Sequence, residues 1–193
     1  MPTALMLGIF GGSFDPVHNG HLALARCCRE QAQLEEVWLV PTATQPHKPG
    51  GPVASGRDRL AMLELALEGE AGLLACSLEI DRGGVSYTVD TLRAVAELRP
   101  VEQLFLLMGA DTLADLPNWR EPDAILQLAR PLVVHRPGEA TPDARHATIV
   151  EMPSIDVSSS QIRELLAHGE PIHGLTPVLV ENYIQQNGLY RGA

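Results

Sequence analysis

Short, continuous apolar runs alternate with segments of helical periodicity along this chain, and this alternation constrains its fold more than any other feature. The runs at 5–10, 37–40 and 103–108 have strand length, and each stops at a glycine or a proline. The segment at 57–67, by contrast, places leucines on one side of a helix. Apolar strands separated by helices are typical of a parallel sheet that is covered on both faces. The sequence therefore predicts a doubly wound, Rossmann-like α/β fold.

The remaining elements follow from the same periodicities. Further strands are predicted at 73–80, 131–135 and 148–152, and helices at 21–33, 57–67, 87–98, 124–129, 158–168 and 177–186. Gly169 and Gly188 follow the last two helices in the position where a glycine ends a helix. No repeat or linker divides the chain, so we expect one domain over residues 1–193. In such a sheet, ligands bind beyond the carboxyl ends of the strands.

Composition and charge exclude several classes of protein. The 193 residues are 45% hydrophobic and 20% charged, which is typical of a globular chain. A formal net charge of −10 argues against a nucleic-acid partner. The apolar runs are too short to cross a membrane, and the amino terminus lacks the features of a signal peptide, so a cytoplasmic location is expected. The sequence leaves open whether the protein is a monomer or a homodimer.

The loop after the first predicted strand has the features of a phosphate site. The dinucleotide pattern G-x-G-x-x-G is absent, which disfavours an NAD-binding oxidoreductase. Gly11 and Gly12 permit close approach of a ligand to the backbone. Asn19 is a predicted helix N-cap, and the three-residue spacing brings His18 and His21 together at that helix end. Two donors beside free backbone amides form a cradle for a polyphosphate.

A second segment, residues 158–163, has related features near the carboxyl end. Ser158 and Gln161 have the spacing of a capping box, which explains those two residues structurally. The serine hydroxyls, the first-turn amides and Arg163 could bind phosphates from the opposite side. No His, Cys or carboxylate cluster has the spacing of a structural metal site, and no nucleophile elbow or Walker lysine motif is present.

These two segments resemble the nucleotidylyltransferase superfamily. The run His18-Asn19-Gly20-His21 fills its (H/T)-x-G-H motif, and residues 158–163 resemble its (S/T)-(S/T)-(S/T)-x-x-R motif. The resemblance implies a catalytic role for His18, His21, Arg163 and Lys48, the last in a proline-rich loop after the second strand. The ATP-binding residues that it implies are Gly11, Gly12, Ser13, Phe14, His18, His21, Gly109, Asp111, Ser158, Ser159, Ser160 and Arg163.

Two further segments narrow the resemblance. Residues 86–92 and 108–119 look like those of the bacterial nicotinate-nucleotide adenylyltransferases. By this resemblance, Thr88 and Trp119 hold the nicotinate ring, while Gly109 and Asp111 approach the ribose of adenosine. The complete set of residues that the resemblance assigns to nicotinate mononucleotide is Ser13, Lys48, Thr88, Trp119 and Arg136.

The reaction that the resemblance implies joins nicotinate mononucleotide to ATP, giving nicotinate adenine dinucleotide and pyrophosphate. The attacking phosphate is largely dianionic near pH 7, so neither a general base nor a covalent residue is required. Mg²⁺ is expected to be carried with the triphosphate rather than in a protein cage. Two alternatives stay open at this point. One is another acceptor, such as nicotinamide mononucleotide, phosphopantetheine or a cytidylyl-transfer substrate, and the other is a non-catalytic nucleotide-binding regulator.

Overall fold

A computed structural model describes residues 5–44, 52–99, 103–135 and 147–192. These residues form six strands: Met6–Gly12 (β1), Glu36–Pro41 (β2), Leu73–Ala75 (β3), Gln103–Gly109 (β4), Ala129–His135 (β5) and Thr148–Glu151 (β6). They also form eight α-helices: Asn19–Gln31 (α1), Gly56–Ala66 (α2), Leu78–Arg82 (α3), Thr88–Leu98 (α4), Ala110–Asp115 (α5), Pro122–Leu128 (α6), Ser159–Ala167 (α7) and Val178–Gln186 (α8). A 3₁₀ turn, Leu116–Asn118, follows α5.

The six strands form one sheet in the order β3-β2-β1-β4-β5-β6, and every neighbouring pair is parallel. From β1 the chain adds strands to one side through β2 and β3 and then continues on the other side with β4. The order of the strands therefore reverses between β1 and β4, and this is where a ligand crevice forms in such sheets. The predicted fold class is confirmed.

Two apolar layers cover the two faces of the sheet. On one face, α1, α2, α7 and α8 contribute buried residues such as Ala25, Met62 and Ile162. On the other face, α4 and α6 contribute buried residues such as Leu92 and Ile125. Burial on both faces explains why the central strands are continuous apolar runs rather than alternating ones.

The ends of α7 and α8 agree with the prediction from their glycines. Gly169 and Gly188 lie just beyond the two helices with φ of 72° and 61°, in the left-handed region that glycine adopts without steric cost.

Two local predictions were wrong, and one helix was missed. The strand expected at 73–80 ends at Ala75, and α3 follows, because β3 is an edge strand with one partner and the Ser77 hydroxyl donates to Asp81 Oδ2 across a helical turn (2.6 Å). The helix α5 was not predicted at all. Asn19 is the first residue of α1 rather than its N-cap, because His18 has the extended backbone of the cap residue (φ −144°, ψ 170°). The Asn19 side-chain amide donates to the Gly174 carbonyl at 2.7 Å.

Candidate active site

The carboxyl ends of β1, β2 and β4 open onto a pocket of about 450 Å³. Its position is the point where the strand order reverses, as expected for a ligand site in this fold. Six of the residues predicted from the sequence lie in its wall: Gly11, Gly12, Thr88, Gly109, Asp111 and Trp119. A Cβ added at Gly11 would meet no atom within 4 Å outside the two neighbouring residues, so the backbone faces open space at this point of the pocket wall.

The pocket wall also contains residues that the sequence reasoning missed, among them Glu79, Thr91 and Arg120. Glu79 is buried, and its Oε1 accepts a hydrogen bond of 2.6 Å from the Thr91 hydroxyl. Burial raises the pKa of Glu79, while hydrogen bonds from Ser86 and Thr91 oppose that rise. The sequence predicts a helix at the position of α4 after a loop. This pattern does not show which side chains of the helix or of the segment before it face the pocket.

The two histidines of the first loop lie face to face at the start of α1. Their ring centroids are 3.6 Å apart, and their planes differ by 22°. The backbone N–H of His18 donates to Nδ1 of His21 at 3.3 Å. Because Nδ1 accepts this bond, the neutral His21 ring carries its hydrogen on Nε2. This tautomer gives His21 an N–H donor of the kind that a phosphate oxygen needs.

Burial strongly lowers the pKa of His21, and repulsion from His18 lowers it further. Phe14 contributes to the burial, since its ring packs against that of His21 with centroids 5.0 Å apart. Both effects favour the neutral form of the His21 ring. An anion beside the ring would favour the charged form and raise this pKa again.

The lowered pKa of His21 predicts that stability falls on mild acidification. The ring in the unfolded chain takes up a proton near its ordinary pKa of 6.5, whereas the folded ring does so only at a lower pH. Within that window the unfolded state binds more protons, so the free energy of unfolding decreases as the pH falls through it. Urea unfolding at pH 7.5 and 5.5 measures the change. His21→Asn retains an acceptor for the His18 N–H but does not titrate. The free energy of unfolding of this variant should therefore decrease less between pH 7.5 and 5.5 than that of the parent protein. An equal loss in both proteins would contradict the prediction.

Phe14 does not occupy the place expected for it. The resemblance assigned it to ATP, but its side chain is fully buried and has an edge-on contact with Phe10 at 5.4 Å. Its backbone has a φ of 47°, which turns the ring inward beneath Gly12. The Phe14 side chain therefore packs against the ring of His21 and presents no exposed surface.

The second segment forms the start of α7 as expected. The Ser158 hydroxyl accepts a hydrogen bond from the Gln161 backbone N–H at 3.2 Å, which makes Ser158 the N-cap and supplies one of the two bonds of the predicted capping box. Ser158 and Ser160 are exposed at this helix end.

The start of α7 is docked onto the first loop by two side chains. The Ser159 hydroxyl donates to the Pro16 carbonyl at 2.9 Å, and Arg163 Nη1 donates to the Asp15 carbonyl at 2.7 Å. Arg163 Nη2 also donates to Ser160 Oγ at 3.2 Å. The second motif therefore contacts the loop that leads into the first motif, although the two are far apart in the sequence.

The Asp15 carboxylate joins the first loop to two other parts of the chain. It is buried, and it accepts hydrogen bonds from the backbone N–H groups of Val53 (2.7 Å) and Ala54 (3.0 Å). It also accepts a bond of 2.8 Å from the Tyr190 hydroxyl. Burial and this carboxylate raise the pKa of Tyr190, so the phenol stays protonated and donates. Asp15 thus fixes the loop whose carbonyl holds Arg163.

Lys48 and Arg136, predicted from the resemblance, lie outside the described residues. Within the described ranges, no group of three or more His, Cys, Asp or Glu side chains is placed to hold a metal ion. Among the helices of those ranges, none is both long and apolar enough to cross a membrane.

Comparison with known proteins identifies the class that this fold and site define. Residues 9–165 match the model of the cytidylyltransferase-like family. A solved structure of a Plasmodium falciparum nicotinic acid mononucleotide adenylyltransferase, complexed with NaAD, superposes with a TM-score of 0.80. The comparison covers 96% of this chain and 97% of that one at 20% identity, and so supports the fold.

Bacterial relatives are more similar in sequence. The protein named "Probable nicotinate-nucleotide adenylyltransferase" in Roseiflexus castenholzii is 44% identical over 200 residues, covering 98% of this chain and 100% of the relative. A protein of the same name in Halalkalibacterium halodurans is 40% identical over 188 residues, covering 96% of this chain and 91% of the relative. The chain belongs to the nicotinate-nucleotide adenylyltransferase family.

Proposed function

We propose that the pocket binds ATP and nicotinate mononucleotide together and that the chain transfers AMP to the mononucleotide. The products are nicotinate adenine dinucleotide and pyrophosphate. The observation that carries this proposal is the docking of α7 onto the first loop, where Arg163 reaches a carbonyl 148 residues away in the sequence. The start of α7 is thereby joined to the loop that leads into α1, and Gly11 and Gly12 at the beginning of that loop line the same pocket as Thr88 and Trp119.

The ATP side of the site is assigned to the two motifs. His18, His21 and Arg163 supply side-chain donors, and the starts of α1 and α7 supply backbone donors with the favourable end of the helix dipole. We assign the exposed hydroxyls of the second motif and the first-loop residues Gly11, Gly12 and Ser13 to the same phosphates. Gly109 and Asp111, at the start of α5, are assigned to the ribose.

The acceptor side of the site is assigned to the wall formed by α4 and the segment after α5. Thr88 is the first residue of α4 and lines the pocket. The backbone N–H groups at the start of a helix have no partner within the helix and can donate to a ligand. The indole of Trp119 is held by a hydrogen bond of 3.1 Å from Nε1 to Asp115 Oδ2. A fixed aromatic ring is suited to stacking on the nicotinate ring. Ser13, Lys48 and Arg136 complete the proposed acceptor set.

The reaction then needs only positioning and charge neutralisation. A phosphate oxygen of the mononucleotide attacks the α-phosphorus of ATP in line. The new P–O bond forms as the bond to the bridging α–β oxygen breaks, and the electron pair leaves with pyrophosphate. His18, His21 and Arg163 bind the oxygens on which negative charge develops. Mg²⁺ bound with ATP would neutralise part of the triphosphate charge and would be carried by phosphate oxygens and water.

Pyrophosphate release tests the proposed function. Incubation with Mg-ATP and nicotinate mononucleotide is expected to release pyrophosphate, with lower kcat/KM for nicotinamide mononucleotide and none for phosphopantetheine. A preference for either of those acceptors would overturn the choice of acceptor. Binding of ATP without turnover of any acceptor would favour a nucleotide-binding regulator instead.

A further inference from the structure

Tyr190 is a buried residue in the segment that follows α8, and the proposed function does not use it. Only 5% of its surface is exposed. Its backbone has a φ of 64°, in the left-handed region that residues with a side chain rarely adopt. Such a conformation persists where surrounding contacts hold it. Tyr190 is not among the described residues that line the pocket, so contacts within the protein account for its position.

The Asp15 residue connects Tyr190 to Arg163. The Tyr190 hydroxyl donates to Asp15 Oδ1 at 2.8 Å, and Asp15 itself is only 3% exposed. Arg163 Nη1 donates to the backbone carbonyl of Asp15 at 2.7 Å and lies 4.0 Å from its Oδ2. One residue of the first loop is therefore held by Tyr190 through its side chain and holds Arg163 through its backbone.

The orientation of Arg163 depends on this contact. Its side chain is 30% exposed, and a long, partly exposed side chain can adopt many rotamers. The other hydrogen bond that fixes its guanidinium goes to Ser160 Oγ at 3.2 Å, within the same exposed turn of α7. Asp15, by contrast, belongs to the buried part of the first loop. The direction in which the guanidinium points is therefore set from the Asp15 side.

We propose that Tyr190 is a positioning residue, which orients Arg163 toward the phosphates of ATP by fixing Asp15. This inference rests on the proposed function, because it concerns the ATP side of the same site. Removal of the Tyr190 hydroxyl leaves Asp15 Oδ1 with the Ala54 N–H alone, so the Asp15 carboxylate and the carbonyl that holds Arg163 can shift. A displacement of about 1 Å in a group that binds the reacting substrate can cost about a hundredfold in rate.

The test compares Tyr190→Phe with Tyr183→Phe. Tyr183 is a matched control, since its hydroxyl donates to a carboxylate oxygen of Asp58 at 3.0 Å, and this pair joins α8 to α2. In Tyr190→Phe, kcat/KM for ATP is expected to fall about tenfold, a part of the loss that a displacement of about 1 Å can cause. The KM for nicotinate mononucleotide should not change. Tyr183→Phe should leave both values unchanged, and melting temperatures verify that both variants are folded.

A double-mutant cycle with Arg163→Ala separates positioning from a general structural role. If Tyr190 acts through Arg163, adding Tyr190→Phe to Arg163→Ala should change kcat/KM for ATP by less than about twofold. A tenfold loss in both backgrounds would overturn the proposal, and so would an unchanged kcat/KM in Tyr190→Phe alone.

A binding measurement keeps this proposal distinct from the proposed function. If the parent protein turns over no acceptor, the proposed function fails. Calorimetric titration with Mg-ATP then tests Tyr190 by itself. Weaker binding to Tyr190→Phe in the parent background, but not in the Arg163→Ala background, supports the positioning role. Equal binding to Tyr190→Phe and the parent protein overturns it.

Discussion

Replacing His21 with alanine is expected to lower kcat about a hundredfold to a thousandfold, the loss found when one preorganised donor to a developing oxyanion is removed. The expectation follows from its tautomer, because Nδ1 accepts the His18 backbone N–H and leaves Nε2–H as the donor. The KM for ATP should change much less than kcat, since charge on the phosphate oxygens increases in the transition state. Pyrophosphate release under saturating substrates measures the effect.

His168→Gln provides the matched control for this experiment. His168 is exposed at the end of α7, and its ring contacts the Glu164 carbonyl of its own helix. Its replacement should leave kcat unchanged. A parental kcat in folded His21→Ala, verified by its melting temperature, would remove His21 from the catalytic residues.

Much of the fold could be predicted because strands that are buried on both faces require continuous apolar runs in the sequence. The central strands β1 and β4 are covered on both faces, so they read as uninterrupted apolar runs. The edge strand β3 was predicted too long, because Leu78 and Ile80 alternate with polar residues as in a strand but form part of α3. Local pattern alone does not distinguish a short helix from a continued edge strand.

The candidate site likewise contains residues that could be predicted from the sequence and residues that could not. Residues consecutive in the chain, such as those of the two motifs, could be recognised from their spacing and from the helix starts that they form. Asp15 and Tyr190 could not be paired, because they lie 175 residues apart and meet only through the tertiary fold. Arg120 was likewise missed, since its contact with Tyr87 depends on how α4 packs against α6.

Loss of the Arg59 side chain is expected to destabilise the fold strongly. Its side chain is 1% exposed and donates to three carbonyls, those of Ala54 (3.3 Å), Ser13 (2.7 Å) and Thr42 (2.7 Å). Burial lowers the pKa of the guanidinium, and the nearby Asp15 carboxylate opposes that change. The Arg59 side chain therefore ties the first loop to Thr42, just beyond β2, and to Ala54, two residues before α2.

Arg59→Met is expected to lower the free energy of unfolding by about 3–5 kcal/mol, the range for removing one partner from a buried charged network. Methionine has a similar length but no donor, so three carbonyls lose their partner and the Asp15 carboxylate loses a compensating charge. Urea unfolding at pH 7.5 measures the difference.

Arg57→Met is the control, because Arg57 lies exposed in the same helix and its loss should change stability by no more than about 0.5 kcal/mol. A similarly small change in Arg59→Met would show that the three hydrogen bonds contribute little. The expected loss bears on function as well as stability. Thr42 lines the pocket, and its N–H donates to the Gly12 carbonyl at 2.9 Å, so the contacts of Arg59 fix the wall against which the phosphates are proposed to bind.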